Sequence, residues 1–324
     1  MEWSRYLESL VAPLRSDVVS GAAEVAAAAA SAVERAARKA PARSSREFRS
    51  AMETLAIRVL DAQPAMAPLV ALAIRVLGEL QAADTAEDEA EGAEDLAALR
   101  TAAAAAAAAF RTELAEHAEA LAWEVARRIA PGTRVLTLSL SSSVREALLS
   151  LPEGHDVHVA CLEGRPGLEG RRLARALAEG GISVTIAVDG AVSALARQSD
   201  LILIGADSVG DEGVVNKVGS HAAALVAREA GIPFLVAADR TKILPPGFPQ
   251  GSGEDRPPEE VWRAPPGVRV WNRYFETVPL ALVSALITEK GPVDRAALEA
   301  YRRSIRVPES LRAWCTTSRR DRLN

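Results

Sequence analysis

The second half of this 324-residue chain alternates short strand-like runs with segments of helix length. The runs are rich in β-branched and aliphatic residues, and they cover residues 135–140, 156–162, 182–188, 200–205, 233–238 and 268–271. The helical segments between them include residues 170–179, 191–198 and 220–230. Repeated strand-helix-strand units form a mostly parallel sheet with helices on both faces. The alternation therefore predicts a Rossmann-like α/β domain, which we expect to span residues 131–324.

Residues 1–130 have a different pattern, because Ala, Leu, Arg and Glu dominate and apolar positions recur every three or four residues. This period is typical of helices. It predicts a helical N-terminal domain over residues 1–130, divided by prolines that a helix interior does not tolerate. The acidic stretch at about 84–95 lacks apolar periodicity and is predicted to be a solvated linker. One long helix is expected over about 96–130.

Composition excludes several classes of protein. Lys and Arg total 38 against 43 Asp and Glu, so the net charge is −5 and the chain lacks the basic excess of nucleic-acid binders. The two cysteines, Cys161 and Cys315, have no metal-binding spacing and indicate a reducing compartment. No stretch reaches about 18 charge-free apolar residues, as a membrane span would require. We expect a cytoplasmic protein with no metal or other cofactor and no nucleic-acid or membrane partner.

Parallel sheets bind ligands at the carboxyl ends of their strands, so the loops there hold the candidate residues. The loop after the first run carries several hydroxyls, including Ser139 and Ser141, just before a helix. Such a loop either caps the helix or helps its N–H groups to hold a phosphate. In the loop after the second run, Arg165 either binds a phosphate or carboxylate or forms a surface salt bridge. The glycine motifs of P-loops and dinucleotide sites are absent from the sequence.

The loop after the fourth run is the most informative one. The apolar residues 201–204 bring Asp207 to the end of a buried strand, where desolvation raises a carboxyl pKa toward the range useful for proton transfer. Asn216 and Lys217 follow, and we expect them at the start of the next helix, where they would hold a phosphate or an enolate oxygen. The alternative is a turn-capping aspartate with a solvated lysine. The combination of an acid and a lysine favours a site.

A series of motifs in fixed order between residues 134 and 291 resembles one superfamily. The motifs are Glu163-x-Arg165-Pro166-x-x-Glu169-Gly170, Asp189, Gly205-Ala206-Asp207, Asn216-Lys217-x-Gly219, Gly231-Ile232-Pro233-Phe234, Asn272-x-x-Phe275-Glu276 and Ile287-Thr288-Glu289-Lys290-Gly291. This superfamily contains methylthioribose-1-phosphate isomerase, archaeal ribose-1,5-bisphosphate isomerase, and the alpha, beta and delta regulatory subunits of the eukaryotic translation initiation exchange factor. In the N-terminal half, only Ala62-Gln63-Pro64 and its surroundings match.

The resemblance implies a phosphorylated sugar as ligand and a homodimer or larger homo-oligomer. It also implies that Asp207 and a cysteine of the first post-strand loop convert aldose to ketose. Here Thr137-Leu138-Ser139 stands where the family has Thr-His-Cys, and Gln63 replaces a family arginine. Serine is much less acidic than cysteine, so proton transfer through Ser139 needs another base. Cys161 on the neighbouring strand offers either a thiol or a small core side chain.

Two functions follow from these residues. The first is an aldose-ketose isomerase acting on a phosphorylated pentose or related sugar phosphate, in which Asp207 moves protons and Ser139 positions a hydroxyl. The remaining candidates bind the substrate or its phosphate: Arg165, Asn216, Lys217, Ser141 and Gln63. The second function is that of a non-catalytic regulatory protein, like the translation-factor subunits, which binds a sugar phosphate or nucleotide and acts through subunit contacts.

The two hypotheses rest on different residues. The retained Asp207, Asn216 and Lys217 favour the isomerase, whereas the replacements at Leu138, Ser139 and Gln63 favour the regulatory protein. We take the isomerase as the working hypothesis. The basic segment 302–324 is expected to be irregular. The sequence leaves open whether it covers a pocket, joins a partner or is disordered, and disorder is the usual outcome for a chain end.

Overall fold

A computed structural model describes residues 2–82, 93–251 and 255–315 of the chain. The described residues belong to two compact units. The helical unit draws on Met1–Glu116, Leu244–Pro249 and Ala300–Asn324, and the sheet unit draws on His117–Ile243 and Gln250–Glu299. The domain boundary that the sequence places after residue 130 stays a prediction. Within the described ranges, no helix combines the length and the apolar character needed to cross a membrane.

The helical unit is built on packed helices with many alanines. Its helices are α1 (Glu2–Ser16), α2 (Ala22–Lys39), α3 (Ser45–Ala62), α4 (Ala67–Ala82) and the first part of α5 (Ala93–Ala126). Small side chains on α2 and α5 allow close helix packing, while Phe48, Met52 and Phe110 fill the core and are almost completely buried. Of the predicted acidic linker, residues 84–92 lie outside the described residues, and residues 93–95 form the first turn of α5.

The segment after residue 302, which was expected to be irregular, is largely helical up to residue 315. Residues 309–315 form a helix, and Leu311 and Cys315 are buried in the core of the helical unit. That expectation was therefore wrong for this stretch, because these two apolar side chains are four residues apart and face the same side of a helix. Residues 316–324 lie outside the described residues.

The sheet unit contains strands of two sheets. In chain order the strands are β1 (Arg134–Leu138), β2 (His158–Leu162), β3 (Ser183–Ala187), β4 (Leu201–Ile204), β5 (Ser208–Val209), β6 (Val214–Lys217), β7 (Phe234–Ala237), β8 (Phe275–Val278), β9 (Ala285–Thr288) and β10 (Gly291–Val293). The larger sheet has the order β10-β9-β7-β4-β1-β2-β3, and the smaller one has the order β5-β6-β8. Pairing in the larger sheet is parallel except for β10, whereas the smaller sheet is antiparallel.

Helices precede, connect or follow the strands of the larger sheet. They are the end of α5, α6 (Ser142–Leu149), α7 (Glu169–Glu179), α8 (Val192–Ala196), α9 (Ser220–Ala230) and the start of α10 (Arg295–Ser304). The chain moves from β1 to β2 and β3 in one direction, and from β4 to β7 and β9 in the other. Right-handed crossovers in opposite directions put α6 and α7 on one face and α9 on the other. The predicted α/β fold is therefore confirmed.

Five of the six predicted runs contain a strand of the larger sheet, and the sixth does not. Residues 268–271 lie in a loop, where Val268 and Trp271 are exposed. The strand comes later, at β8, which pairs with β6. Apolar residues in the exposed loop imitate a strand signal, and hydrophobicity alone does not separate the two cases. The short strands β5, β6, β9 and β10 lie outside the predicted runs.

A close backbone contact positions the beginning of α7. A β-carbon added at Gly170 would lie 1.9 Å from the carbonyl oxygen of Leu162, at the end of β2. The N–H group of Gly170 also donates to the carbonyl of Glu163 at 3.0 Å. Only glycine allows the helix to start this close to the strand. The contact keeps the preceding residue, Glu169, at the carboxyl end of β2.

We predict that Gly170→Ala lowers the free energy of unfolding by about 1–3 kcal/mol, because the methyl group forces α7 away from β2. Urea denaturation of the purified variant measures this change. Gly190→Ala is the matched control, since an added β-carbon there has no atom within 4 Å and the φ of Gly190 lies outside the left-handed region. We expect the control to change stability by less than about 0.5 kcal/mol. Equal effects of the two substitutions would contradict the prediction.

Candidate active site

Strands β1 and β4 are parallel neighbours in the sheet. After β1 the chain continues toward one edge of the sheet, and after β4 it continues toward the other edge, so a crevice forms at their carboxyl ends. We call this position the switch point. Two close contacts bring the loops together there. A β-carbon added at Gly205 would lie 2.2 Å from Oγ of Ser141, and one added at Gly164 would lie 3.2 Å from Cα of Ser139. The loops after β1, β2 and β4 therefore meet in one place.

Asp207 follows β4 at the switch point. Its backbone N–H donates to the carbonyl of Val215 at 2.9 Å, which joins it to the hairpin of β5 and β6. The side chain keeps some exposed surface, yet protein surrounds the carboxyl group closely. Burial raises the pKa of Asp207 to about 6, against the opposing positive charges of Lys242 and Lys217 and with a smaller contribution from the negative charge of Glu169. Such a carboxyl group exchanges protons readily near neutral pH.

Asn216 and Lys217 lie on strand β6, not at the start of α9 as the sequence predicted. The prediction was wrong because the short strand preceding α9 was not recognised. Lys217 is 5% exposed, and its Nζ lies 2.9 Å from Oε1 of Glu169 and 4.7 Å from the ring centroid of Tyr274. Its neighbour Asn216 donates from Nδ2 to Oγ of Ser220 at 2.9 Å.

The N-terminus of α9 already has a carboxylate partner. Oε1 of Glu276 on β8 accepts hydrogen bonds from the backbone N–H groups of Gly219 at 2.7 Å and His221 at 2.8 Å. These are among the N–H groups that an anion at the helix N-terminus would use. The positive charge that faces Asp207 comes from lysine side chains instead.

Lys242 is a further residue of the site that the sequence-based predictions do not include. Lys242 is in the short 3₁₀ turn Arg240–Lys242 after β7 and is 3% exposed. Among the described residues its ammonium group has no hydrogen bond or ion pair, although its charge acts on Asp207. The strand at 233–238 was predicted correctly, and polar residues that follow parallel strands line the site. Applied to this strand, that rule identifies Lys242.

Glu169 was noted in the sequence only as part of a motif. Its side chain is 13% exposed, and Oε1 pairs with Lys217. The other oxygen, Oε2, is buried and has no hydrogen-bond partner among the described residues. A carboxylate therefore lies beside Lys217 and near enough to Asp207 to act on its charge, and one of its oxygens has no hydrogen-bond partner within the described residues.

The two serines of the first loop differ in their surroundings. Ser139 is buried and has a φ of 61°, in the left-handed region that few residues other than glycine adopt. Within the described part of the chain its hydroxyl has no hydrogen-bond partner. Oγ of Ser141 accepts from the backbone N–H of Val144 at 3.4 Å and caps α6. Ser141 is thus a helix cap, and its role as a phosphate ligand stays a prediction.

Arg165 lies in a loop that Asp189 holds in place. The two carboxylate oxygens of Asp189 accept the backbone N–H groups of Gly164 at 2.8 Å and Arg165 at 2.7 Å. The guanidinium group of Arg165 is exposed and donates to the carbonyl of Val261 at 3.4 Å. The carboxylate that would have made a local salt bridge, Glu163, pairs with Arg171 instead. Phosphate binding by Arg165 stays a prediction.

Two further candidates lie in different surroundings. Gln63 belongs to the helical unit, is 3% exposed, and donates from Nε2 to the carbonyls of Leu14 at 2.9 Å and Asp17 at 2.8 Å. Its amide protons are thus used within that unit, and its binding role stays a prediction. Cys161 is fully buried in β2, and burial raises the pKa of its thiol to about 12. A thiol of this kind stays protonated and serves as core packing.

We define the switch-point site as Ser139, Glu169, Asp207, Lys217 and Lys242. It joins two carboxyl groups to two buried ammonium groups at the carboxyl ends of the parallel strands. Carboxyl groups of this type transfer protons, and buried ammonium groups hold phosphates or developing negative oxygen. The arrangement suits acid–base chemistry on a small anionic substrate.

Comparison with known proteins identifies relatives. A ribose 1,5-bisphosphate isomerase from Methanocaldococcus jannaschii is 35% identical over 173 residues, which are 51% of this chain and 56% of that enzyme. The chain thus matches little more than half of that relative. A methylthioribose-1-phosphate isomerase from Gemmatimonas aurantiaca is 32% identical over 307 residues, which are 89% of this chain and 85% of that enzyme.

A solved structure and a family model also match this chain. The crystal structure of translation initiation factor eIF-2B from Pyrococcus horikoshii OT3 has a TM-score of 0.73 and 26% identity, covering 89% of this chain and 96% of that one. The model of the Initiation factor 2 subunit family matches residues 18–295, which is most of the sequence. This chain therefore belongs to the Initiation factor 2 subunit family.

Proposed function

We propose that the protein is an aldose-ketose isomerase acting on a pentose phosphorylated at C1. The observation that carries the proposal is the carboxyl group of Asp207, which lies at the switch point with a pKa of about 6. Isomerisation requires a group that accepts a proton from one carbon and returns it to the next, and a carboxyl group with this pKa does both near neutral pH. Asp207 has this role in the proposal.

The substrate class is supported by the relatives. These relatives are named ribose 1,5-bisphosphate isomerase and methylthioribose-1-phosphate isomerase. Both sugars carry a phosphate on C1 and differ at C5. We therefore propose a C1-phosphorylated ribose derivative as the substrate and leave the substituent at C5 to experiment. A homodimer or larger homo-oligomer in the cytoplasm is part of the same proposal.

Lys242 is the proposed ligand of the phosphate. Its ammonium is buried and, within the described residues, carries no counter-ion in contact, whereas Lys217 is neutralised by Glu169 at 2.9 Å. A dianionic phosphate beside Lys242 compensates the buried charge. Asn216, Ser141, Arg165 and Gln63 remain proposed substrate ligands, and Ser139 is proposed to position a substrate hydroxyl.

We expect the purified protein to convert at least one C1-phosphorylated sugar of a small panel to its ketose. The panel contains ribose 1,5-bisphosphate, methylthioribose 1-phosphate and ribose 5-phosphate, with ketose formation followed by ¹³C NMR. Asp207→Asn, which keeps the size of the side chain but loses its acid–base chemistry, should reduce kcat by at least about 100-fold. If wild-type protein converts none of these sugars but a sugar phosphate raises its Tm, the isomerase proposal falls and the regulatory hypothesis takes its place.

The pKa of Asp207 also predicts a pH dependence of stability. Its value in the folded state, about 6, is above the ordinary value for an unfolded chain. The favourable contribution of the protonated form is complete below about pH 4 and is lost as the pH rises through about 6, because the folded state must then bury an ion. Asparagine does not ionise, so the Tm of Asp207→Asn minus that of wild type should increase from about pH 4 to about pH 7. A constant or decreasing difference would contradict the raised pKa.

The proposed phosphate ligand makes a separate prediction. Lys242→Met keeps the length of the side chain and removes its charge, so KM for the active sugar phosphate should rise by about 10- to 100-fold, the range expected for a hydrogen bond to a charged group. Lys290→Met is the control, because Lys290 is exposed. Steady-state kinetics on both variants measures the effect. An unchanged KM in Lys242→Met would remove Lys242 from phosphate binding.

A further inference from the structure

The free oxygen of Glu169 has no structural function in the fold. Oε1 is bound by Lys217 at 2.9 Å, but Oε2 is buried and has no hydrogen-bond partner among the described residues. A buried carboxylate oxygen in this state costs free energy of folding, and native proteins rarely leave one unexplained. The fold keeps the group in place through the close contact of Gly170 with Leu162. The position of Oε2 thus calls for a role in the chemistry of the site.

Oε2 borders the space beside the first loop. The point where a β-carbon of Gly164 would lie is 3.1 Å from Oε2 of Glu169 and 3.2 Å from Cα of Ser139. Because Gly164 has no side chain, nothing from this residue separates Oε2 from the first loop. Glu169 is also near enough to Asp207 for its negative charge to raise the pKa of that carboxyl. A substrate between Asp207 and Ser139 would therefore meet Oε2.

The proposed reaction requires two proton transfers. When a C1-phosphorylated furanose becomes a ketose, the C1–O4 bond breaks and an O4–H bond forms, while the C2–H bond breaks and a new C1–H bond forms. The O2–H bond also breaks as the C2=O double bond forms. One hydrogen passes from C2 to C1 and one proton passes from O2 to O4, so no oxidant or reductant is needed.

Ser139 is poorly suited to carry the second proton. Its hydroxyl group is only weakly acidic, and within the described residues no base accepts its proton. A serine hydroxyl without such a base is not activated. A carboxylate is a stronger base than a serine hydroxyl, and Glu169 places one near the loop that carries Ser139.

We propose that Glu169 is the second acid–base group of the site and that Oε2 carries the proton between O2 and O4 of the sugar. Asp207 carries the hydrogen between C2 and C1, as in the proposed function on which this inference rests. Each carboxyl group accepts one proton and releases one, so both return to their initial state after each turnover. Lys217 holds Oε1, which orients Oε2 toward the substrate.

This assignment also orients the sugar. A second carboxylate repels a dianionic phosphate, so the phosphate lies away from Glu169 and near Lys242, whose charge has no contacting partner among the described residues. The uncharged hydroxyl and ring oxygens then face Glu169. The charges of the switch-point site thus distinguish the phosphate end of the substrate from the end where bonds change.

The test is Glu169→Gln, which keeps the shape of the side chain and an oxygen for Lys217 but does not carry a proton. We expect kcat on the active sugar to fall by at least about 100-fold while KM rises by less than about threefold, since general acid–base catalysis contributes factors of this size. Glu169→Asp, which keeps the carboxyl group, should be faster than Glu169→Gln. Glu163→Gln is the matched control, because Glu163 is also 13% exposed and ion-paired, at 2.6 Å to Arg171. It should have the kcat of wild type.

The possible results separate the two proposals. If wild type turns over a sugar and Glu169→Gln keeps its kcat within about threefold, the role of Glu169 is wrong while the isomerase stands. A rise in KM alone, or a Glu169→Asp variant slower than Glu169→Gln, would also overturn it, because each indicates binding or packing instead of proton transfer. If wild type converts no sugar of the panel, the isomerase proposal fails first and this one with it.

Discussion

The structure of the site depends on one topological constraint: successive strands are added to the sheet toward one edge after β1 and toward the other edge after β4. These strands are adjacent in the sheet, and the crossovers that follow them go to opposite sides. No helix can cover the carboxyl ends at that position, so the loops there contact one another directly. Glycines make the contacts possible, since a side chain at Gly205 or Gly164 would collide with the serine loop. The chemistry of the site follows from which polar residues end those loops.

The charges of the site form a balanced set. Asp207 and Glu169 are opposed by Lys217 and Lys242, but the pairing is unequal, because Glu169 and Lys217 are 2.9 Å apart while Lys242 lacks a contacting partner within the described ranges. Burial disfavours ionisation of Asp207 and the lysines favour it, and burial is the larger influence. One acid with a pKa near 6, one fixed carboxylate and one available cation result from this inequality.

The parallel sheet was predictable because the sequence alternates between strand-like runs and segments with the period of a helix. Asp207 was predictable because a buried strand leaves an apolar run directly before it. The smaller sheet was not, since β5 and β6 are too short for a period of two to be visible. That failure misplaced Lys217, which the sequence put on a helix. Glu169 could not be recognised either, because its free oxygen is a consequence of long-range packing, and Ser139 gives no sign in the sequence of its left-handed backbone.

The helical unit is not continuous in the chain. Its core contains Phe48 and Leu55, made early in synthesis, together with Leu244 and Leu311. The helix that contains Phe48 and Leu55 emerges from the ribosome roughly 250 residues before Leu311, which belongs to the same core. Its apolar face is therefore incompletely covered while the sheet unit is being made. Long-range contacts of this kind slow folding, and the nascent chain is consequently exposed to aggregation for longer than a chain whose units are contiguous.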